Sequence, residues 1–503
     1  MDSLALHYHQ RTKYSPETIA AKSKGLNFAQ QPAPFKEYPV GQRYDLKPYL
    51  HGQQEESQGR DWRLWQRLSQ LFFCTYGVTA KMVTLMGPPV FLRAAPSAGG
   101  LYPAEVYLLS RGTESLPAGL YNYQVQDHTL IRFWDQNIWP DLEQCCFQHP
   151  AFGVVDYAIV ASAVFYRSAW RYQDRAYRRI FLDTGHLLGN LEIAGALTGF
   201  RPCLIAGFQD QRINELMYFE PTEEGVVSII PLIDQERQRP LQRSGFTALP
   251  SEIHPTYSFV EDGELLDYLH RATMIKTLVK SEQGTTLNLD DKYNFPFCTK
   301  ISMVTAPIPF NAGIRGLAQT LGKRRSTRAY TGADLTLEEV RSLLHFTYQP
   351  QDYTDLGLDS DPDYCDRNLL ETFIVVSGVE GLDAGCYYYA PKAQELRQIR
   401  FKNFRRELHF LCLGQDLGRD AAAVVFHTAD LKRAVQTYGD RAYRYLHLDA
   451  GHLGQRLNLA AIYLNLGVSG IGGFFDDQVN EVLGIPTDEA VIYITTLGRP
   501  RQG

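Results

Sequence analysis

The strongest constraint on this chain is a repeat held at one spacing. Tyr172-Gln173-Asp174-Arg175-Ala176-Tyr177-Arg178, followed by Leu182-Asp183-Thr184-Gly185-His186, returns as Tyr438-Gly439-Asp440-Arg441-Ala442-Tyr443-Arg444 and Leu448-Asp449-Ala450-Gly451-His452. The step from Tyr172 to Tyr438 is the same as the step from His186 to His452. That step also relates Gly119-Leu120-Tyr121 to Gly385-Cys386-Tyr387, Glu105 to Glu371, Ile205-Ala206-Gly207-Phe208 to Ile471-Gly472-Gly473-Phe474, and Asn214-Glu215 to Asn480-Glu481. Chance does not hold one spacing over separated segments, so two copies of one fold follow each other in the chain.

The length of 503 residues and the 44% hydrophobic content are enough for two cores of ordinary size. A net charge of −6 gives no reason to expect a nucleic-acid or anionic-membrane partner. The eight cysteines contain no CxxC pair, and Cys145 and Cys146 are adjacent, so neither a metal site nor a disulfide framework is implied. With no apolar leader and no long apolar run, the expected location is cytoplasmic.

Four segments are expected: an N-terminal arm over 1–60, a first domain over 61–235, a crossover over 236–305 and a second domain over 306–503. The arm, rich in Gln and Pro, has no sustained period and reads as irregular. Apolar spacing predicts helices over 62–76, 182–197, 314–321 and 448–466, and a helical stretch within 265–279. Short apolar runs predict strands over 105–109, 156–163, 226–232, 373–376 and 491–494. Thr336 with Glu339 three residues on reads as a capping box. The two copies are expected to be α+β domains packed through the long helices, as an intramolecular pseudo-dimer.

The copies differ where the chemistry is. Pro96-Ser97-Ala98-Gly99-Gly100-Leu101-Tyr102-Pro103 offers backbone N–H groups with almost no side chain in front of them. Its counterpart, starting Pro362-Asp363-Tyr364-Cys365-Asp366-Arg367, keeps the proline but none of the small residues. Conversely, Lys323-Arg324-Arg325-Ser326-Thr327-Arg328 has no basic counterpart in residues 52–64. Each copy holds the half that the other lacks, so one complete site across a pseudo-twofold axis is expected, with its symmetry mate dead.

These motifs resemble the flavin-dependent nitroreductase-like superfamily, and within it the SagB-type dehydrogenases that include thiazoline and oxazoline oxidases. The resemblance spans about 60–235 and 310–503 and rests on the Pro-Ser-Ala-Gly-Gly-Leu-Tyr-Pro turn and the Tyr-Gly-Asp-Arg-Ala-Tyr-Arg string with its Leu-Asp-Ala-Gly-His. It implies FMN, one per chain, bound by Arg324, Arg325, Ser326 and Arg328 of the second copy. Pro96, Ser97, Ala98, Gly99 and Gly100 of the first copy would face them. Ile471, Gly472 and Gly473 would line the flavin, and Arg499 would add a phosphate ligand. The chemistry suits these types: guanidinium forks hold a phosphate dianion, and a bare turn lets a planar ring approach.

In azoline-oxidising relatives a Lys-Tyr pair abstracts the proton, but here the positions are Arg171-Tyr172 and Thr437-Tyr438. Tyr438 and Tyr172 remain as the candidate catalytic residues. Asp183, His186, Asp449 and His452 recur in both copies, which favours structural roles. The leading expectation is an FMN-dependent oxidoreductase transferring a hydride to or from a small-molecule or peptidic substrate. NAD(P)H, lacking a dedicated dinucleotide segment, would act as a transient donor in the flavin cleft. The alternatives are an azoline-to-azole dehydrogenase of a peptide-modifying pathway and a non-enzymatic flavin-fold scaffold. A monomer is expected, since the pseudo-dimer is intramolecular.

Overall fold

The computed structural model describes residues 2–22, 25–50, 59–83, 89–237, 245–278 and 291–501. Part of the 52–64 comparison and the end of the 265–279 helical reading lie outside these residues. Within them, the chain forms two seven-stranded sheets in which every neighbouring pair is antiparallel. The first runs Gln42–Asp45, Thr129–Trp134, Gly119–Gln124, Ala104–Ser110, Tyr157–Val164, Glu224–Asp234, Phe200–Pro202. The second repeats that order with Lys300–Ser302, Glu395–Arg400, Gly385–Ala390, Glu371–Val376, Ala423–Asp430, Glu489–Gly498 and Gly467–Ile471.

The register repeats too. Glu105 pairs with Ser162 and Glu371 with Thr428, so both partners are displaced by the same step that relates the sequence motifs. The central strands are buried throughout or along all but their last residue, which is why they read as apolar runs rather than as alternating ones.

Two long helices, Ala176–Thr198 and Ala442–Tyr463, lie between the sheets and pack against each other. Nearly every residue of both is buried, because each faces its own sheet on one side and the other copy on the other. One apolar cluster runs through both helices and both sheets. The helices cross at Gly185 and Gly451. A Cβ on Gly185 would run into the Leu448 carbonyl oxygen, and one on Gly451 into that of Leu182, so only hydrogen fits at this crossing.

The Thr336–Glu339 capping box forms as expected and starts the helix Leu337–Tyr348. The N-terminal segment differs from the irregular arm expected of it. Leu4–Arg11 is a helix started by Ser3, whose side chain accepts the Leu6 N–H, and it buries Leu4, Ala5, Tyr8 and His9. Eight residues are too few for a period to stand out in sequence, and tertiary burial holds this helix in place. It touches both copies: Asp440 accepts the Ala5 N–H at 2.9 Å, and Arg178 donates to the His9 carbonyl at 2.8 Å.

Candidate active site

The repeated Leu-Asp-x-Gly-His string does three jobs on each long helix. Its glycine makes the helix crossing. Its aspartate holds the turn that distinguishes the copies: Asp183 accepts the Ser97 hydroxyl at 2.6 Å and the Ala98 N–H at 3.1 Å. Asp449 accepts the N–H groups of Cys365 at 2.9 Å and Asp366 at 2.8 Å. Burial pushes both carboxyls up to about 7, against the opposing pull of those donors.

The histidines are spent on structure. His186 lies between Gln455 at 2.7 Å and the Tyr493 hydroxyl at 2.8 Å, and burial holds its pKa down at about 3. His452 donates to Glu192 at 2.7 Å, and Glu192 also binds Arg456 at 2.5 Å.

On one side of this frame a cleft opens with walls from both copies. The first copy contributes Pro96, Ser97, Ala98, Gly99, Gly100, Arg179, Leu182, Asp183 and His186. From the second come Ser326, Arg328, Asn458, Ser469, Gly470, Gly472 and Tyr493. The turn is bent by Gly99 at φ +67° and Gly100 at φ +66°, a region that favours glycine. A Cβ on Gly99 would lie 2.7 Å from the Tyr172 hydroxyl, whereas one on Gly100 would meet open space. The Ala98 N–H is taken by Asp183 and the Gly100 N–H by the Ser97 carbonyl, which leaves the Gly99 N–H without a partner among the described residues.

Two cations of the cleft, Arg179 and Arg328, have no ion pair among the described residues. Arg328 is exposed and makes no hydrogen bond or ion pair among the described residues. Arg179 is buried; its guanidinium lies 3.5 Å from the centre of the Tyr172 ring, its Nη2 donates to the Gly472 carbonyl at 2.9 Å, and its Nη1 has no partner among the described residues.

Other residues singled out in the sequence lie elsewhere. Arg324 is fully buried and donates to the carbonyls of Ala94 at 2.6 Å and Arg93 at 3.1 Å, just before the glycine turn; burial lowers its pKa to about 10. Arg325 donates to Thr79, at 3.0 Å to the hydroxyl and 2.9 Å to the carbonyl. Arg499 grips Glu339 with both terminal nitrogens, at 2.7 and 2.8 Å. Ile471 is buried in the core of the second copy, and Gly473 packs against Leu413. Tyr172 stands at the glycine turn, but Tyr438 donates to Asp366 at 3.2 Å, beside the counterpart turn of the other half.

Arg179, Asn458, Ser469, Gly470 and Tyr493 were not singled out in the sequence. The signal was there, because their counterparts in the other copy are Tyr445, Glu192, Cys203, Leu204 and Val227. The divergence that exposes the turn and the basic cluster would have found them.

The pseudo-symmetric position is built differently. It has a separate cavity with apolar walls, including Leu188, Leu191 and Leu204, beside Pro362, Asp363 and His452. Arg201 also lines it, held by Asp359 at 2.7 Å and Asp363 at 2.8 Å.

A nitroreductase family model matches residues 69–232 and again 321–499. The chain is 33% identical over 169 residues to a Methanocaldococcus jannaschii protein assigned as a nitroreductase, covering 34% of this chain and 84% of that one. It is 27% identical over 150 residues to the microcin B17-processing protein McbC of Escherichia coli, covering 28% of this chain and 53% of McbC. Over its full length it is similar to a protein from Anabaena variabilis whose crystal structure carries a nitroreductase assignment. There the identity is 62%, 100% of both chains is covered and the TM-score is 0.94. With two family matches in tandem and a full-length relative of the same architecture, this chain belongs to the nitroreductase family, as an α+β fold present twice.

Proposed function

We propose that the chain is an FMN-dependent oxidoreductase carrying out two-electron hydride transfer at one composite flavin site per chain. The observation that carries this reading is a cleft with one wall from each copy and its donors unspent. The Gly99 N–H and Arg179 Nη1 stand on the first wall, Arg328 and Ser326 on the second.

These residues fit the group. A phosphate dianion suits Arg328 and Ser326 as charge-assisted donors. The Gly99–Gly100 turn leaves room for a planar ring edge, and the Gly99 N–H and Arg179 suit the oxygens and nitrogens of that edge. The flavin, when bound, supplies the redox chemistry. Asp183 fixes the turn through Ser97 and Ala98, and Arg324 ties its approach to the second copy. Tyr172, pinned beneath Arg179 at the turn, is the protic side chain suited to hold or give up a proton to a substrate. Tyr438 has no part in this reading. A small-molecule or peptidic substrate and NAD(P)H would use the same cleft in turn, and the chain would act as a monomer.

In the pseudo-symmetric position Asp359 and Asp363 would repel a phosphate, which supports a single flavin. Azoline dehydrogenation is the second reading, favoured by the resemblance of the glycine turn and the Asp-Arg-Ala-Tyr-Arg string to azoline-oxidising proteins. Arg171 in place of the lysine weighs against it, because an arginine side chain does not accept protons at ordinary pH. Anaerobic stopped-flow reduction by NADH and NADPH tests the proposal. It predicts bleaching of bound flavin by at least one donor and its return with an acceptor. A purified chain that binds no flavin would overturn it.

A further inference from the structure

A further cavity, of about 350 Å³, lies between the N-terminal segment and the first sheet and shares no lining residue with the glycine turn's cleft. Arg93 is at its base with no exposed surface. Its Nη2 donates to the Pro34 carbonyl, but its Nε and Nη1 have no partner among the described residues. The guanidinium is ringed by Phe35, Tyr76 and Tyr102, with 5.0, 4.5 and 4.6 Å to the ring centres. Aromatic faces attract a cation, but they return less than the cost of taking a guanidinium out of water.

The neighbouring cations are each matched. Lys36 pairs with Glu224 at 2.5 Å, Arg43 with Asp127 at 2.9 Å, and Arg167 with Glu105 at 2.6 Å. Arg93 therefore makes no ion pair among the described residues; Glu105 feels its charge but is already paired with Arg167, and the cavity beside it is large enough for more than water. We propose that this cavity binds a small carboxylate, with Arg93 as its counter-charge. Guanidinium nitrogens pair readily with a planar oxyanion. Glu105, the exposed Glu37 and Asp127 also line the cavity, so a ligand with a single negative charge is favoured over a dianion.

Titration of the full chain with butyrate, followed by calorimetry with and without added FMN, tests this. The expected result is saturable binding at one site per chain, insensitive to FMN, with succinate and chloride at least fivefold weaker. Arg93→Met should weaken butyrate at least tenfold. Gln126→Glu, at an exposed position on the cavity wall, should weaken it at least threefold without touching the core. Absence of saturable binding, competition by FMN, chloride binding as tightly as butyrate, or an affinity unchanged by Gln126→Glu would each overturn the proposal. The last of these decides the matter even if Arg93→Met does not fold.

Discussion

Arg441 of the second copy donates to Asp210 of the first at 2.6 Å, and at the equivalent positions Arg175 of the first donates to Asp476 of the second at 2.8 Å. Each aspartate takes a second arginine: Arg444 joins Asp210 at 2.7 Å and Arg178 joins Asp476 at 2.8 Å. The repeated Asp-Arg-Ala-Tyr-Arg string is thus a reciprocal clasp between copies, with both carboxylates buried.

Asp210→Asn leaves two buried guanidiniums without their counter-charge. The expected loss is about 3–5 kcal/mol in urea unfolding, the range for breaking a buried pair. Asp488→Asn, which breaks an exposed pair with Lys432, should cost about 0–1 kcal/mol. Equal costs would mean that the clasp does not hold the copies together.

Gly451→Ala puts a methyl group against the Leu182 carbonyl at the helix crossing. The helices must separate, with an expected loss of about 1–3 kcal/mol, as for overpacking a core. Gly153→Ala, where a Cβ meets nothing within 4 Å, is the matched control and should lie within about 0.5 kcal/mol of wild type. Thermal denaturation of the two variants side by side checks this.

Asp183 should leave a mark on stability against pH. Its folded pKa is about 7 against an ordinary 3.8, so between these values the folded state holds a proton that the unfolded state has released. The stability it contributes is full below about pH 4 and is lost as pH rises to about 7, at up to about 1.4 kcal/mol per unit. Asp183→Asn should remove its share of that slope and leave the share of Asp449, which titrates over the same window. A wild-type and variant difference that stays constant across that window would contradict the buried, protonated carboxyl.

The copies, their sheets and their long helices were legible because one spacing carried them all. The helix crossing was half legible: Gly185 and Gly451 were visible as a repeat, but what they touch was not. The basic cluster shows where sequence stops. Arg324, Arg325 and Arg328 look alike in a row, yet the first binds backbone carbonyls, the second Thr79, and the third stays uncommitted. Which way each guanidinium turns depends on the other copy, which no local pattern records. Arg499 similarly looked free after the last strand, and Glu339 of the capping box takes it.

Flavin retention should therefore divide the cluster. Arg328→Ala removes a charge-assisted donor worth about 1.5–3 kcal/mol, so FMN should bind about 10- to 100-fold more weakly with little change in melting temperature. Arg325→Ala should cost more in stability than in FMN affinity, since its partners are Thr79 and backbone. Fluorescence titration of FMN into the apo variants separates the two; a larger affinity loss at Arg325 would reverse the assignment.

Two unequal halves are proposed to make one flavin site. This is tested most directly by the ratio of FMN released on denaturation to protein, after saturation and removal of free flavin. One FMN per chain is expected, and the same ratio for Leu191→Trp, which fills the cavity in the pseudo-symmetric half. Two FMN per chain, falling to one in Leu191→Trp, would contradict it.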